Sequence, residues 1–235
     1  MKTFVLSDIH GCYDELMALF ARLPIEPTRD RVVFLGDYVD RGPKSRSVVE
    51  HVMAWEARYP HWVFLGGNHE DELLKALHYD GRTHDWPELW YGQGGRETLL
   101  SYLREGTEGD QGQPLRARDV IPPDHLAWLA ARPRYFEDDA YIYVHAGLKP
   151  GKSPRETDPD DLIWIREEFL DSDYDWGKKV IHGHTPTWNL EPDVRPNRIN
   201  IDTAVCYSPR NKLTAIELPA ERFYFQPSLA GASIR

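Results

Sequence analysis

In the first half of the chain, apolar segments end repeatedly in clusters of polar residues. The segments 2–6, 31–35 and 62–65 end in SDIHG, GDYVDRG and GGNHE, and each is followed by apolar residues at helical spacing. Short apolar segments of this kind predict buried strands, and the spacing after them predicts amphipathic helices. Strands that alternate with helices indicate an α/β fold with parallel strands. Because parallel strands end at one edge of a sheet, the polar clusters are expected to meet where ligands bind.

The second half of the chain continues this pattern after a long interruption. Segments 141–144 and 179–181 predict strands ending at His145 and His184, and 162–170 has helical spacing. Between the halves, residues 79–134 are rich in Gly, Pro, Trp and charge. We interpret 1–235 as one domain in which about 79–134 is an insertion of helices and loops. Further elements are expected as helices at 94–103 and 124–131 and as strands at 198–201, 213–218 and 223–225.

The strand ends carry the side chains that bind hard and borderline metal ions. Asp8 and His10 are two residues apart, so in an extended chain they face the same side and can meet one ion. Asp37 adds a second carboxylate, which is costly beside the first unless a cation neutralises both. Each residue alone is also explained by a turn or a helix cap, as Asn68 would be. Ligand-type side chains at all of these strand ends together predict a metal centre.

The motifs SDIHG, GDYVDRG, GGNHE, VHAG and HGHT resemble those of the calcineurin-like metallophosphoesterases. They look most similar to the phosphoprotein phosphatases in their bacterial and phage form, as do YGQGGRETLLSY, LIWIREEF and INIDTAV. The resemblance spans about 2–218. It implies a four-layer αββα sandwich of mixed sheets with covering helices, and a dinuclear metal site at the carboxyl ends of the strands. Two departures are Ser7 and Ala204, where many relatives carry Gly.

The resemblance also implies a role for each matching residue. The metal ligands would be Asp8 and His10 at the first ion, Asp37 at both, and Asn68, His145 and His184 at the second. The catalytic residues would be His69 as general acid, Asp40 orienting it, and Arg41 and Arg166 holding phosphate oxygens together with Asn68.

This ligand set indicates the cofactor and the reaction. Oxygen and imidazole ligands without thiolate favour two divalent ions, with Mn(II) expected and Fe or Zn as alternatives. Two such ions lower the pKa of a bridging water, so that hydroxide attacks phosphorus in line. We therefore expect hydrolysis of phosphate monoesters, namely phosphoserine, phosphothreonine or phosphotyrosine in a protein or peptide, or a small phosphomonoester.

Two other functions fit parts of the sequence. A symmetrical diadenosine tetraphosphate hydrolase shares most of the motifs, but such enzymes tend to read VARG where this chain has Asp40 in VDRG, which favours the phosphatase. An inactive module that binds phosphorylated ligands would be expected to lose ligands or the general acid, and none is lost here. In the insertion, Trp86, Trp90 and Tyr91 are expected either to shape substrate preference or to form a small core.

Composition and charge limit the partners and the cellular compartment that are expected for this chain. The formal net charge is −10 and no basic run is visible, so no nucleic-acid partner is expected. No apolar run reaches the roughly 18 residues of a membrane span, and the apolar stretch before Asp8 is too short for a secretory signal. Two distant cysteines, Cys12 and Cys206, fit a reducing compartment. The sequence therefore predicts a cytoplasmic protein without a membrane partner.

Overall fold

The computed structural model of the chain describes residues 1–83, 87–103 and 117–229. Within these residues the strands lie where the apolar segments predict them, with two short additions, β4 and β7, that the sequence pattern did not indicate. The strands are β1 Thr3–Leu6, β2 Arg31–Phe34, β3 Val63–Phe64, β4 Tyr135–Glu137, β5 Tyr141–Val144, β6 Lys179–His182, β7 Asp193–Val194, β8 Arg198–Asn200, β9 Lys212–Leu218 and β10 Arg222–Pro227.

The helices also follow the predicted periodicity, with one break. The expected helix at 162–170 is interrupted at Ile165 and Arg166, whose backbone leaves the helical region. Trp86 and residues 104–116 of the insertion lie outside the described residues. The helices are α1 Tyr13–Phe20, α2 Ser45–Arg58, α3 Asn68–Ala76, α4 Pro87–Trp90, α5 Arg96–Tyr102, α6 Ala117–Val120, α7 Pro123–Ala130, α8 Asp161–Trp164 and α9 Glu167–Leu170.

The strands form two mixed sheets. The first has the order β10-β9-β1-β2-β3, in which β1, β2 and β3 run parallel and β9 is antiparallel to β1. The second has the order β4-β5-β6-β8-β7, with β5, β6 and β8 parallel. The parallel strands thus bring their carboxyl ends to one edge of each sheet, as the sequence predicts.

Three buried apolar clusters define the layers. One lies between the sheets and joins residues of both, including Val33, Ile181 and Ile216. Another packs the outer face of the first sheet against α1, α2, α3 and α7. The last packs the second sheet against α8 and α9 through Phe169. Helices therefore cover both outer faces, which confirms the four-layer αββα arrangement. No helix among the described residues is long and apolar enough to cross a membrane.

The core between the sheets makes a testable contribution to stability. Ile216 is fully buried there, and Ile216→Ala is expected to lower the free energy of unfolding by about 3 kcal/mol, from lost burial and the cavity left behind. The control is Val194→Ala on β7, where the side chain is 46% exposed and the loss should stay within about 0.5 kcal/mol. Urea unfolding of the three proteins measures both values, and equal losses would contradict this position of the core.

Candidate metal centre

The backbone at the strand ends is held in an uncommon conformation. Five residues there that are not glycine have positive φ, which is sparsely populated for such residues and concentrates at functional sites. They are His10 (46°), Asp37 (54°), Asp40 (71°), Arg41 (69°) and His184 (66°). The loops after β1, β2 and β6 therefore turn sharply and aim their side chains at a shared centre.

Two groups of buried side chains meet at this centre. The ligand atoms of Asp8, Asp37 and His145 lie within 4.8 Å of one another, and so do those of His10, Asp37 and His69. Asp37 belongs to both groups, which is the position that a bridging ligand needs. The second group includes His69, for which the sequence suggested a different role.

Asn68 connects the second sheet to the same centre. Its Oδ1 lies 2.9 Å from His145 Nε2 and 2.9 Å from His184 Nδ1. The His184 backbone N–H donates to the carboxylate of Asp8 at 3.2 Å. All of the side chains that the sequence suggests as metal ligands are therefore brought into one cluster.

The chemistry of this cluster fits divalent cations. Burial raises the pKa of the Asp37 carboxyl well above its usual value, and the carboxylates of Asp8 and Glu70 add to the rise, against the opposing effect of His69. The buried His184 Nε2 has no hydrogen-bond partner among the described residues. Buried acids need a paired cation, and carboxylate, amide and imidazole ligands suit a hard or borderline metal.

His69 is fixed through one of its ring nitrogens. Its Nδ1 lies 2.7 Å from Asp40 Oδ2, which leaves Nε2 as the nitrogen open to other chemistry. Burial lowers the pKa of His69, but the carboxylates of Asp37 and Asp40 outweigh burial and raise it. A raised pKa favours the protonated ring, which suits a proton donor.

Asp40 is in turn held by residues of the insertion. Trp90 Nε1 donates to its Oδ2 at 3.0 Å, and Thr98 Oγ1 donates to its Oδ1 at 2.7 Å. Asp40 and Trp90 are both fully buried. Trp90 is thus a support for the His69 pair, and of the described aromatic residues proposed to shape substrate preference only Tyr91 is exposed.

The two arginines lie beside the cluster. Arg41 donates from Nη1 to His10 Nε2, and its guanidinium stacks over the Tyr207 ring with 4.8 Å between the guanidinium carbon and the ring centroid. Arg166, at the break between α8 and α9, donates to Thr185 Oγ1 at 3.3 Å, next to His184. Both can therefore approach an anion bound at the cluster.

Comparison with known proteins identifies the family. The family model described as calcineurin-like phosphoesterase matches residues 1–215. The chain belongs to the calcineurin-like phosphoesterases. This family implies divalent metal ions, which agrees with the donor set at the cluster, and the expectation of a hydrolase is confirmed at this level.

Curated relatives of this phosphoesterase match it almost end to end. A protein of Halalkalibacterium halodurans is 27% identical over 97% of this chain and 94% of its own. One of Bacillus velezensis is 28% identical over 92% and 88%. Both are named bis(5'-nucleosyl)-tetraphosphatase PrpE, asymmetrical. A crystal structure described provisionally as a diadenosine tetraphosphatase superposes with a TM-score of 0.70 at 20% identity, covering 97% of this chain and 93% of that one, which supports the fold.

These relatives overturn the expectation of a protein phosphatase. The end-to-end relatives are named for nucleotide substrates, so the interpretation of phosphoserine, phosphothreonine or phosphotyrosine as the substrate is wrong. Asp40 does not distinguish the two substrate classes by contact. Because its carboxylate is fully buried behind His69, it cannot contact a substrate directly.

Glu70 is an important residue to which the motifs gave no role. Its carboxylate accepts the backbone N–H groups of Gly67 at 2.9 Å and of Asp37 and Tyr38 at 2.8 Å each. Glu70 is the third residue of α3, where a glutamate commonly caps the helix start, and this was the available signal. Here the cap also clamps the Asp37 loop.

Ala204, one of the two departures from the family pattern, lies at a position whose backbone conformation favours glycine. Its φ of 59° lies in the left-handed region, which glycine adopts without strain. The Asp202 carboxylate accepts its N–H at 2.9 Å and holds the turn. Ser7, the other departure, donates its hydroxyl to Asp8 Oδ1 at 2.7 Å, so it adds a contact to the cluster.

The clamp by Glu70 can be tested by stability. Glu70→Gln removes a charged acceptor from buried N–H groups and is expected to cost about 3 kcal/mol of unfolding free energy. Glu168→Gln is the control, since that carboxylate is exposed and should change stability by less than about 0.5 kcal/mol. Denaturant unfolding of both variants gives the comparison, and a neutral Glu70→Gln would contradict the clamp.

Proposed function

We propose that this phosphoesterase hydrolyses bis(5'-nucleosyl) tetraphosphates asymmetrically, to a nucleoside monophosphate and a nucleoside triphosphate. The observation that carries the proposal is the end-to-end likeness to relatives that are named for this reaction. The buried cluster of acids, imidazoles and an amide supports it, because phosphoanhydride cleavage needs positive charge around the reacting phosphate.

The cluster residues would hold two divalent ions, Mn(II) in our proposal. Asp8 and His10 would bind the first ion, Asp37 would contribute to both, and Asn68, His145 and His184 would bind the second. When bound, such ions supply the charge that makes hydroxide available at neutral pH. On this proposal, the Arg41 side chain moves away from His10 Nε2 when an ion binds there. One nitrogen cannot both accept a hydrogen bond from Arg41 and bind a cation.

The remaining residues act on the phosphate and on the leaving group. Arg41 and Arg166 bind phosphate oxygens with their forked donors, which is the geometry that guanidinium offers and ammonium does not. Asn68 contributes a further polar contact. His69, held by Asp40, gives a proton from Nε2 to the departing oxygen.

Product analysis tests the proposed function. Protein treated with chelator is expected to hydrolyse bis(5'-adenosyl) tetraphosphate only after Mn(II) is added. Chromatography should then show AMP and ATP in equal amounts. ADP as the sole product would mean symmetrical cleavage and would contradict the proposal, as would faster turnover of phosphoserine or phosphotyrosine peptides.

The ligand assignment is tested by metal content. Asp37→Asn is expected to weaken Mn(II) binding at both sites by more than about 10-fold, since even changes outside the ligand shell cost this much. Asn68→Ala should empty the second site and leave the first. The control Asp139→Asn alters an exposed carboxylate and should bind both ions normally. Two ions bound at wild-type affinity in Asp37→Asn would exclude it as the bridge.

A further inference from the structure

A cavity of about 700 Å³ lies beside Arg41, outside the cluster of acids and imidazoles. Its lining includes Arg41, Tyr91, Gln93, Glu97 and Tyr207, and we call it the tyrosine cavity. Its volume falls in the range of about 300–1,000 Å³ that small-molecule sites occupy. The proposed metal ligands and catalytic residues do not include Tyr91, Gln93 or Glu97.

The wall of the cavity is attached directly to the arginine. Tyr91 begins the turn Tyr91–Gly95 that joins α4 to α5. The Gly94 carbonyl of that turn accepts the Arg41 backbone N–H at 3.2 Å. Gly94 has φ 112°, and a Cβ at this position would lie 2.4 Å from the Arg41 nitrogen, so only glycine allows this approach. The wall of the cavity and the Arg41 backbone therefore keep a fixed relation.

The lining combines exposed aromatic faces with hydrogen-bonding groups. Tyr207 is 56% exposed and Tyr91 42% exposed, so both rings can be reached from solvent. Aromatic faces of this kind stack on nucleobases. Gln93 offers an amide and Glu97 a carboxylate, which can bind the hydroxyls of a ribose or the edge of a base. Arg96, which also lines the cavity, adds a positive charge.

We propose that the tyrosine cavity binds one nucleoside of the substrate, with its base stacked on Tyr91. This inference rests on the proposed function and deepens it. Asymmetrical cleavage breaks the bridge between the phosphate that carries one ribose and the next phosphate, so a nucleoside must lie within two phosphates of the reacting centre. Arg41 is proposed to hold the reacting phosphate and also lines the cavity, so the cavity lies beside the position where that nucleoside is expected.

Binding of a matched pair of ligands tests this site without requiring turnover. Calorimetry on the Mn(II)-loaded protein compares α,β-methylene-ADP with methylenediphosphonate, which lacks the nucleoside. We expect the nucleotide to bind at least about 10-fold more tightly, a difference of about 1.4 kcal/mol. Tyr91→Ala should reduce this ratio to below about 2-fold, whereas Tyr91→Phe, which keeps the ring, should preserve most of it.

Leu89→Ala is the matched control, because Leu89 is 53% exposed and lies two residues before Tyr91 but outside the cavity lining. It should leave the ratio unchanged. Equal binding of the two ligands by the wild type, or an unchanged ratio in Tyr91→Ala, would overturn the nucleoside site. A ratio that depends on Tyr91 in a protein that does not cleave bis(5'-adenosyl) tetraphosphate would uphold the site and contradict the proposed function instead.

Discussion

The side-by-side burial of Asp8 and Asp37 is the constraint on which the rest of the structure depends. Each carboxylate is at most 4% exposed, and burying two like charges is costly unless donors and cations compensate. The parallel strands β1 and β2 place them there, because both strands end at the same edge. The second sheet then supplies the compensation, since the His184 N–H donates to Asp8 and His145 lies 3.5 Å from Asp37.

Close approach of the two sheets requires small residues and strained turns at this edge. A Cβ on Gly67 would lie 2.2 Å from Asp37 Oδ1 and 2.9 Å from His145, so no other residue fits. The positive φ of Asp37 and His184 is a further cost. The apolar core between the sheets holds the strands rigidly enough to maintain these turns, and the clamp by Glu70 fixes the Asp37 loop locally. Stability of the core and geometry of the site are therefore linked.

Much of this arrangement could be predicted from the sequence, because it depends on local patterns. Strand 141–144 has the predicted bounds, and the polar residues at the strand ends do meet. The break at Arg166 and the short edge strands β4 and β7 depend on tertiary contacts that leave little periodicity. The substrate class was predicted wrongly because the prediction rested on the resemblance of the motifs and on Asp40, a buried residue that does not contact the substrate. Selectivity between substrates depends on exposed surfaces that contact the substrate, and the metal-binding motifs do not include those surfaces.

The segment from Trp90 to Thr98 serves two purposes because its residues face opposite sides. Trp90 and Thr98 point inward and hold Asp40, and through it the ring of His69. Tyr91 and Gln93 point outward and line the tyrosine cavity. An outward side chain can change without removing a hydrogen bond from Asp40, so the surface proposed to bind the nucleoside can diverge while the Asp40–His69 pair stays fixed. Members of a family that share one buried site can in this way acquire different substrates. A motif that all of them share cannot reveal which substrate a given chain binds.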